Sequence, residues 1–397
     1  MNGYEKLSVM KFGGSSFATR SDVSSVCQWL GRQLDERGPA ARIVCVVSAP
    51  SGLTEQYRDT LLSFNPTPSD RLLDAGLPLA DSLGAVLVAA ALQALGIRAN
   101  VALGNQIGLM TDRNYTRARL QSVDTEPLRR ELVEHQIVLI PGGQAAAHET
   151  GETTWLGKNS SDLSAIALAA AFGCGELEIF SDVPGVYSCD PNVVQQAYLL
   201  PHLSYSQAVK MSSSGAKVLH HRGVAYAQQH GVRLICRSNR DDFGIGTILS
   251  DQAPATAAVI PDARSQVFSG SLTQLDQAAK ALENGDIAYI RQSESEGRSW
   301  LAIPCGFFDA TAFFKQHHVR VEPMDTQMIS VLTETGELLH SLVSPAQLRE
   351  FSVRLHQEYC IQTGPIVPCT PPRQSHDTEM LSLNLATFQR GEAARHV

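Results

Sequence analysis

Residues 9–16 read Val-Met-Lys-Phe-Gly-Gly-Ser-Ser, an apolar strand that runs into a turn of small residues. Three further stretches carry similar signatures: Gly-Lys-Asn-Ser-Ser-Asp at 157–162, Phe-Ser-Asp-Val-Pro-Gly-Val-Tyr at 180–187 and Ser-Gly-Ala-Lys-Val-Leu-His at 214–220. A glycine pair after one strand is common. Four such stretches in one chain predict a surface that holds polyphosphate at the edge of a sheet. The pattern therefore predicts a phosphotransferase.

Lys11 closes the first of these strands and stands just before Gly13 and Gly14. Glycines let the backbone approach an anion closely, and a lysine beside them supplies positive charge where phosphoryl transfer accumulates negative charge. Taken alone, the motif is more simply a lysine that ends a strand beside an ordinary turn. It is neither a Walker A motif nor the dinucleotide Gly-x-Gly-x-x-Gly, which argues against P-loop and Rossmann oxidoreductase proteins.

Apolar strands alternate with helical patterns through the first two-thirds of the chain. The predicted strands lie at 7–12, 43–48, 101–103, 137–141, 176–181 and 233–237. The predicted helices lie at 22–36, 78–95, 125–135, 161–172 and 206–217. This alternation predicts an α/β fold in three layers, with a mainly parallel sheet covered by helices on both faces.

The composition is that of an ordinary globular protein, with 43% apolar and 18% charged residues in 397. A formal charge of −8 gives no support for a nucleic-acid partner. The apolar stretch at 84–97 is shorter than the roughly 20 residues of a membrane helix, and the first residues lack a signal-peptide pattern. We therefore expect a cytoplasmic protein with no membrane partner.

The cysteines and the paired histidines predict no metal site. The eight cysteines are scattered without a Cys-x-x-Cys pair, which argues against both a disulfide framework and structural zinc. Histidine pairs stand at 220–221 and 317–318, but adjacent histidines on one element do not converge on one ion.

The character of the chain changes near Ser250. Residues 252–258 are small and polar, as in a linker. Beyond them, two β-α-β-like passages are predicted, one after the other in the sequence. The first has a helix at 274–283 and strands at 287–292 and 300–304. The second has strands at 319–322 and 328–333 and a helix at 344–358. The predicted domains are thus 1–250 and 251–364, and the composition of 365–397 predicts a flexible tail.

Together, the motifs of the first domain resemble those of the aspartate kinases in the amino-acid kinase family. Lys-Phe-Gly-Gly-Ser-Ser is similar to the family's Lys-Phe-Gly-Gly-Thr-Ser, and Val-Ser-Ala-Pro-Ser-Gly-Leu-Thr at 47–54 to its Val-Ser-Ala-Met-Ser-Gly-Val-Thr. Residues 104–112 and 118–120 resemble Gly-x-Gln-x-Gly-Ile-x-Thr-Asp and Ala-Arg-Ile. The stretches at 181–191 and 214–220 resemble further motifs of the family, in the family's order.

The resemblance implies a role for each matching residue. The implied catalytic residues are Lys11, Gly14 and Asp162. The implied nucleotide-binding residues are Lys11, Gly13, Gly14, Ser15, Ser181, Asp182, Tyr187 and Lys217. The implied substrate-binding residues are Ser48, Thr54, Asp81, Lys158, Ser161 and Asp162.

The resemblance also implies ATP and Mg²⁺ as cofactors and an amino-acid acceptor whose side-chain carboxylate attacks the γ-phosphoryl group. A carboxylate is already a competent nucleophile, so positioning and charge neutralisation supply the acceleration. Without the resemblance, Asp182 is equally a turn residue, Tyr187 a buried aromatic and Lys217 a solvated helix residue.

The chain departs from the family mainly at the acceptor. Lys158, Asn159 and Ser160 stand where the family has Arg-Gly-Gly. A lysine keeps the charge but loses the two-pronged geometry that grips a carboxylate, and the missing glycines predict a loss of positive φ or of close backbone approach. Asp81 replaces a glutamate and is equally explained as a helix N-terminal acid. Where the family has a Pro-Gly-Phe segment, this chain reads Pro-Gly-Gly-Gln at 141–144, and Trp155 stands in place of a small threonine.

In the family, a pair of small ACT-type regulatory modules follows the kinase domain. The helix at 274–282 and the strand at 286–290 resemble one such module only weakly, because the glycine-bearing turn is missing after Ser269 and Gly270. We therefore expect degenerate ACT-like modules that pack a homodimer, without inhibition by lysine or threonine.

Three functions remain open from the sequence. The first is an ATP-dependent kinase that makes 4-phospho-L-aspartate. The second is a related kinase for another small amino or carboxylic acid, favoured by the altered acceptor residues. The third is a non-catalytic nucleotide-binding or regulatory subunit, against which the retained Lys11, Asp182 and Lys217 weigh.

Overall fold

The computed structural model describes residues 6–216, 219, 221–240, 242–285, 287–293, 299–304 and 309–360. Lys217, His220 and the tail at 365–397 lie outside these ranges.

Up to residue 249, the described chain alternates strands and helices. The strands are β1 (Leu7–Phe12), β2 (Arg42–Val47), β3 (Ala99–Val101), β4 (Leu109–Thr111), β5 (Leu120–Val123), β6 (Ile137–Pro141), β7 (Gln144–Ala147), β8 (Thr153–Trp155), β9 (Glu176–Ser181), β10 (His202–Leu203), β11 (Arg233–Ser238) and β12 (Ile245–Leu249). The helices are α1 (Arg20–Arg37), α2 (Leu53–Phe64), α3 (Asp70–Gly76), α4 (Leu79–Ala94), α5 (Glu126–Glu134), α6 (Ser161–Phe172), α7 (Tyr205–Ser213) and α8 (His221–His230).

Eight of these strands form one sheet in the order β10-β12-β11-β9-β1-β2-β6-β3. Every pair in it is parallel except β11 with β12. Strand β1 lies between β2 and β9, with Lys11 opposite Val46 on one side and Ile179 on the other. Its neighbours are buried on both faces, which explains their near-continuous apolar sequences. The predicted mainly parallel α/β fold is confirmed.

Two hydrophobic cores fill the spaces on the two faces of this sheet. Alternate residues of β1 divide between them, because successive side chains of a strand point to opposite faces. Val9 belongs to the core that includes residues of α5, α6 and α8. Met10 belongs to the core that includes residues of α1 and α4. The result is the predicted arrangement of three layers.

One described stretch, Asp70–Ala94, is long and apolar enough by composition to cross a membrane. It consists of α3 and α4, and 56% of its most apolar part is buried within the protein. Helix α4 packs on β2, β3 and β6, as a core helix does. The composition of this stretch therefore carries no argument for a membrane.

Beyond residue 250, the described elements are β13 (Ala258–Asp262), β14 (Gln266–Ser269), α9 (Leu272–Asn284), β15 (Ile290–Ser293), β16 (Ser299–Ile303), α10 (Ala310–Gln316), β17 (Glu322–Met324), β18 (Gln327–Leu332), β19 (Leu338–Val343) and α11 (Leu348–Tyr359). They form two sheets, β13-β18-β19 and β15-β16-β14-β17. We call the first sheet with α11 the outer module, and the second with α9 and α10 the inserted module.

The two modules are nested and not consecutive, so the expectation of two passages in sequence order is wrong. Strand β13 pairs antiparallel with β18, and the whole inserted module lies between these two strands in the chain. The pairing is long-range, and local patterns of hydrophobicity do not reveal it.

Several predicted boundaries also need correction. The third strand of the sheet lies at Ala99–Val101 and not at 101–103, because the chain after it turns at Gly104, where φ is +54°. The strand expected at 319–322 lies at Glu322–Met324. Helix α7 ends at Ser213, short of the predicted 217, because Gly215 adopts a φ of +104° and closes the helix. Helices α2, α3, α8 and α10 were not predicted.

Candidate active site

Lys11 and Asp162 form a buried ion pair at the carboxyl end of the central strand. The Lys11 Nζ lies 2.8 Å from the Asp162 Oδ1, and the two residues are only 9% and 7% exposed. Lys11 comes from β1, and Asp162 stands in the first turn of α6. Ligands of open α/β sheets bind outside the carboxyl ends of the strands, and this pair lies at that edge of the sheet.

The glycine turn after Lys11 is fixed by close backbone contacts. The Gly13 N–H donates to the Phe180 carbonyl at 2.9 Å, which ties the turn to the end of β9. A Cβ on Gly14 would lie 2.4 Å from the Ala49 carbonyl oxygen. Because no side chain fits at that distance, Gly14 is required by the approach of two backbone segments.

A network of hydroxyl and amide groups joins this turn to the loop after β9. The Ser15 hydroxyl donates to the Asp182 Oδ1 at 3.3 Å, and the Ser181 hydroxyl donates to the same oxygen at 3.1 Å. The predicted nucleotide residues Ser15, Ser181 and Asp182 are therefore together, close to the turn that follows Lys11.

Asn239 completes this network, although the sequence motifs did not predict it as a site residue. Its amide oxygen accepts from the Ser16 N–H at 3.1 Å and from the Ser16 hydroxyl at 2.8 Å, and its amide nitrogen donates to the Ser181 carbonyl at 3.3 Å. In this orientation, both the amide oxygen and the amide nitrogen of the buried Asn239 side chain have hydrogen-bond partners. The signal for it is its position directly after a strand of the parallel sheet.

Tyr187 lies further along the loop after β9, with its ring largely buried. Its backbone forms an isolated antiparallel bridge with Leu199, which doubles the loop back on itself. Tyr187 thus lies in a segment that continues from Asp182 and is held by this bridge, whereas Lys217 lies outside the described residues.

On the other side of Lys11, two serines and an aspartate meet. The hydroxyls of Ser48 and Ser161 lie 2.8 Å apart, which joins the end of β2 to the start of α6. Asp81 Oδ1 accepts the Ala49 N–H at 2.8 Å. Burial raises the pKa of Asp81 to about 7, although the Ala49 N–H and the charge of Lys11 act in the opposite direction.

Lys158 and Thr54 lie at the more exposed edge of this acceptor side. The Lys158 Nζ is 2.7 Å from the Glu55 Oε1, so the loop before α6 is linked to the first turn of α2. The hydrogen bond from Lys158 lowers the pKa of Glu55 below its ordinary value. Thr54 precedes Glu55 and is half-buried. Glu55 was not among the predicted residues.

The predicted loss of positive φ in the loop at 157–160 is wrong for one residue. Asn159 adopts a φ of +61°, in the left-handed region, and Gly157 adopts +103°. Asparagine tolerates this conformation better than most residues because its short polar side chain bonds locally. The turn before α6 therefore keeps a left-handed residue without a glycine at 159.

The buried carboxylate of Asp74 holds the backbone that leads into the 157–160 loop. Asp74, on α3, accepts the Thr116 N–H at 2.7 Å and the Trp155 N–H at 2.9 Å. It is fully buried, and desolvation raises its pKa to about 6. Trp155, which precedes the 157–160 loop, is thus held through its backbone, and the residue that holds it was missed because α3 was not predicted.

Comparison with known proteins gives the family and the fold of this chain. Residues 6–238 match the model of the amino acid kinase family. The chain belongs to that family. An aspartokinase from Helicobacter pylori (strain ATCC 700392 / 26695) is 35% identical over 243 residues, which cover 61% of this chain and 59% of that protein. One from Corynebacterium efficiens is 32% identical over 272 residues, which cover 68% and 64%. The chain thus spans less than two-thirds of these curated relatives.

Solved structures show the same fold over most of the chain. The crystal structure of Escherichia coli aspartokinase III in complex with aspartate and ADP superposes with a TM-score of 0.70 and 18% identity, over 89% of this chain and 99% of that one. The Clostridium acetobutylicum aspartate kinase superposes with a TM-score of 0.62 and 14% identity, over 89% and 100%. At this identity the likeness concerns the fold, and it extends into the two C-terminal modules.

Proposed function

We propose that the protein is an aspartate kinase, which transfers the γ-phosphoryl group of ATP to the side-chain carboxylate of L-aspartate and gives 4-phospho-L-aspartate and ADP. The observation that carries the proposal is the buried pair of Lys11 and Asp162, 2.8 Å apart, between a nucleotide side and an acceptor side. The aspartokinase relatives support the same reaction.

On the nucleotide side, Lys11 contacts the terminal phosphates, and Gly13, Gly14 and Ser15 line the path of transfer. Lys11 is paired with Asp162 before the nucleotide arrives, so its ammonium group is held at the carboxyl end of β1. It therefore needs little reorganisation to meet developing negative charge. The further nucleotide-binding residues of the proposal are Ser181, Asp182, Tyr187 and Lys217.

Magnesium is proposed to arrive with the nucleotide. Within the described ranges, no group of three or more His, Cys, Asp or Glu side chains is placed to hold a metal by itself. Mg²⁺ commonly binds through substrate phosphates and one or two carboxylates, and Asp182 beside Ser15 and Ser181 fits that requirement as an oxygen donor. When bound, the ion neutralises charge on the phosphates.

On the acceptor side, one carboxylate oxygen of the substrate forms a bond to the γ-phosphorus while the bond to the β-phosphate oxygen breaks and ADP leaves. Ser48, Ser161 and Asp162 orient the reacting carboxylate, and the ionised Asp81 meets the ammonium group. Lys158 and Thr54 lie at the outer edge, where the α-carboxylate is proposed to bind. Because the nucleophile is already ionised at neutral pH, no protein base is needed.

A related kinase with another small amino or carboxylic acid is the second candidate. One observation favours it, because Lys158 is already paired with a carboxylate of the chain itself, Glu55, at 2.7 Å. An acceptor without an α-carboxylate leaves this pair in place.

The wider organisation is proposed on the same basis. The kinase domain would cover 1–250, the degenerate ACT-like region 251–364 and a tail 365–397. We propose a cytoplasmic homodimer that associates through the C-terminal region.

A hydroxamate assay tests the function. The protein is incubated with ATP, Mg²⁺, hydroxylamine and a panel of amino and hydroxy acids, because hydroxylamine traps an acyl phosphate. We expect aspartyl hydroxamate from the wild type and none above background from Lys11→Ala. A product from another acceptor alone would select the second candidate. Nucleotide binding without a product from any acceptor would contradict both.

A further inference from the structure

The indole of Trp155 lies against Gly143, at the open end of the hairpin that β7 and β8 form. Gly143 has a φ of +74°, and a Cβ on it would lie 2.9 Å from the Trp155 Nε1, 3.2 Å from the Trp155 Cδ1 and 2.7 Å from the Ser160 Oγ. The indole therefore fills space that a side chain at 143 would take. Gly143 and Trp155 are both departures from the family pattern, and the structure places one against the other.

The backbone of Trp155 is fixed on both sides of the strand. Its N–H donates to the Asp74 Oδ2 at 2.9 Å, and its carbonyl accepts the Ala118 N–H at 3.0 Å. The next residue, Leu156, donates its N–H to the Gly143 carbonyl at 2.9 Å. Because these bonds hold the chain at 155 and 156, the indole is kept in place against Gly143.

The turn at 142–143 joins this indole to the acceptor side. The Gly142 N–H donates to the Val47 carbonyl at 2.8 Å, next to Ser48. On its other side, Gly142 packs so closely on Ser161 that a Cβ on this glycine would collide with the Ser161 Cβ. The hydroxyls of Ser48 and Ser161 lie 2.8 Å apart. The two glycines thus lie between the indole and the Ser48–Ser161 pair.

The strand that begins after this turn contacts a second acceptor segment. Gln144, which pairs with Trp155 across the hairpin, is 6% exposed. Its Nε2 donates to the Ser82 Oγ at 3.3 Å, and Ser82 directly follows Asp81 on α4. Residues 142–144 therefore contact both helices that carry proposed acceptor residues, α4 and α6.

Trp155 differs in exposure from the other two tryptophans of the chain. Trp29 and Trp300 are 6% and 3% exposed, whereas Trp155 is half-buried. One edge of its indole is fixed against Gly143, and part of the residue remains accessible. A rigid ring with an accessible part, beside residues that bind a small molecule, is suited to form a wall of the pocket.

From these contacts we propose that Trp155 determines acceptor specificity: its indole forms a wall of the acceptor pocket beside the Ser48–Ser161 pair and limits the length of the acceptor's carbon chain. The favoured acceptor is a four-carbon amino dicarboxylate, and the ring excludes one with an additional methylene. One methylene in such a pocket changes kcat/KM by about 10–200-fold. The proposal rests on the proposed function in taking the side of Ser48 and Ser161 as the acceptor site.

Kinetics with two acceptors test the role of the ring. The hydroxamate assay gives kcat/KM for L-aspartate and for L-glutamate, which is one methylene longer, in wild type, Trp155→Thr, Trp155→Phe and Trp300→Phe. We expect the ratio of glutamate to aspartate to rise about tenfold or more in Trp155→Thr, because the ring volume is lost. Trp155→Phe keeps a ring and should stay near the wild type. Trp300→Phe is the control, because Trp300 is buried in the inserted module.

A binding measurement separates this proposal from the proposed function. Acrylamide quenches the fluorescence of an accessible indole more than that of a buried one, so it reports mainly on Trp155. The titration uses L-aspartate with Mg-ADP present, which permits binding without turnover. We expect aspartate to reduce quenching in the wild type and in Trp300→Phe, and to have no effect in Trp155→Phe.

A higher glutamate-to-aspartate ratio in Trp155→Thr with an unchanged Michaelis constant for ATP supports the proposal. An unchanged ratio overturns it, and so does an equal loss with both acceptors together with a fall in melting temperature, which indicates a purely structural role. If Trp155→Thr does not fold, the quenching measurement decides, and the absence of protection by aspartate overturns the proposal. Protection of Trp155 in a wild type that makes no acyl phosphate contradicts the proposed function alone.

Discussion

The nucleotide side and the acceptor side of this site are built from different materials. On the nucleotide side, backbone groups, a required glycine and small hydroxyl residues hold one another, and Asn239 is buried among them. On the acceptor side, the contacts come from the side chains of Ser48, Ser161, Asp81 and Lys158, and the pair of Lys158 and Glu55 at the outer edge is about half exposed. Under the proposed function, phosphate recognition therefore depends on backbone geometry, whereas acceptor recognition depends on side chains that substitution readily changes.

The largest effect is expected at the boundary of the two sides. Lys11→Met removes the charge that meets the transferring phosphoryl group and leaves Asp162 buried without its cation, so we expect turnover to fall by about 10³-fold. Lys6→Met, at the exposed amino end of the same strand, is the matched control and should retain activity. Comparable turnover in the two variants would place the reaction centre elsewhere.

The next effect concerns the acceptor side and its dependence on pH. Because burial raises the pKa of Asp81 to about 7, its carboxylate becomes fully ionised only above that pH. We expect kcat/KM for the acceptor to rise with pH through about 7. Asp81→Asn should lower it by about 30-fold or more, since a buried charge partner of the ammonium group is lost.

The same variant should lose the rise with pH, while the Michaelis constant for ATP stays near that of the wild type. A rise that survives in Asp81→Asn would assign the titration to another group and would remove Asp81 from the acceptor site.

A smaller effect, on stability, is expected behind the acceptor loop. An asparagine at position 74 offers one acceptor to two N–H groups, so Asp74→Asn should lose about 1–3 kcal/mol of unfolding free energy. The pKa of Asp74 is raised in the folded state to about 6 from an ordinary 3.8. Protonation of Asp74 therefore contributes stability that is fully present below pH 3.8 and is lost as the pH rises through 6.

The difference between wild type and Asp74→Asn should accordingly be greatest near pH 4 and smaller at pH 7, as measured by denaturant unfolding. Asp59→Asn, at an exposed carboxylate of the neighbouring helix α2, is the control and should follow the wild type. A difference that grows with pH would contradict the assigned direction of the shift.

The smallest effect has the opposite sign. Glu55→Gln frees Lys158 from an exposed ion pair, and such pairs contribute only about 0–1 kcal/mol. We therefore expect the Michaelis constant for aspartate to fall by no more than about fivefold, and the gain to shrink at high salt. Asp59→Asn, on the same helix α2, removes one negative charge without touching Lys158 and serves as the control. An unchanged constant in Glu55→Gln would favour an acceptor that does not use Lys158.

The sequence predicted the elements whose periodicity is strong. Strands β1, β6 and β9 and helix α6 lie where the apolar runs place them, because both faces of the strands and nearly all of the helix are buried. Helix α2 was not predicted, because Leu53 is its only buried residue. The small sheet β5-β4-β7-β8 was not predicted either, because its strands have only three or four residues each.

The candidate site divides in the same way. The glycines and the residues next to them in the chain are visible as motifs, whereas Asn239 and Asp74 act across 223 and 81 residues of sequence, on Ser16 and on Trp155. A contact between such distant residues depends on the order of strands and helices in space. The nested modules were missed for the same reason, since β13 finds its partner only after the whole inserted module.

That nesting has a consequence for how the molecule can be altered. The two ends of the insertion meet in the outer sheet, where Asp262 is paired with Met328 and the Gln327 amide donates to the Ala263 carbonyl at 2.8 Å. A short hairpin is therefore sufficient to join them, and residues 263–326 form a cassette that is exchangeable without breaking a strand. The outer module cannot be exchanged in this way, because its first strand, β13, and its last helix, α11, both form hydrogen bonds with Ser188 of the kinase domain.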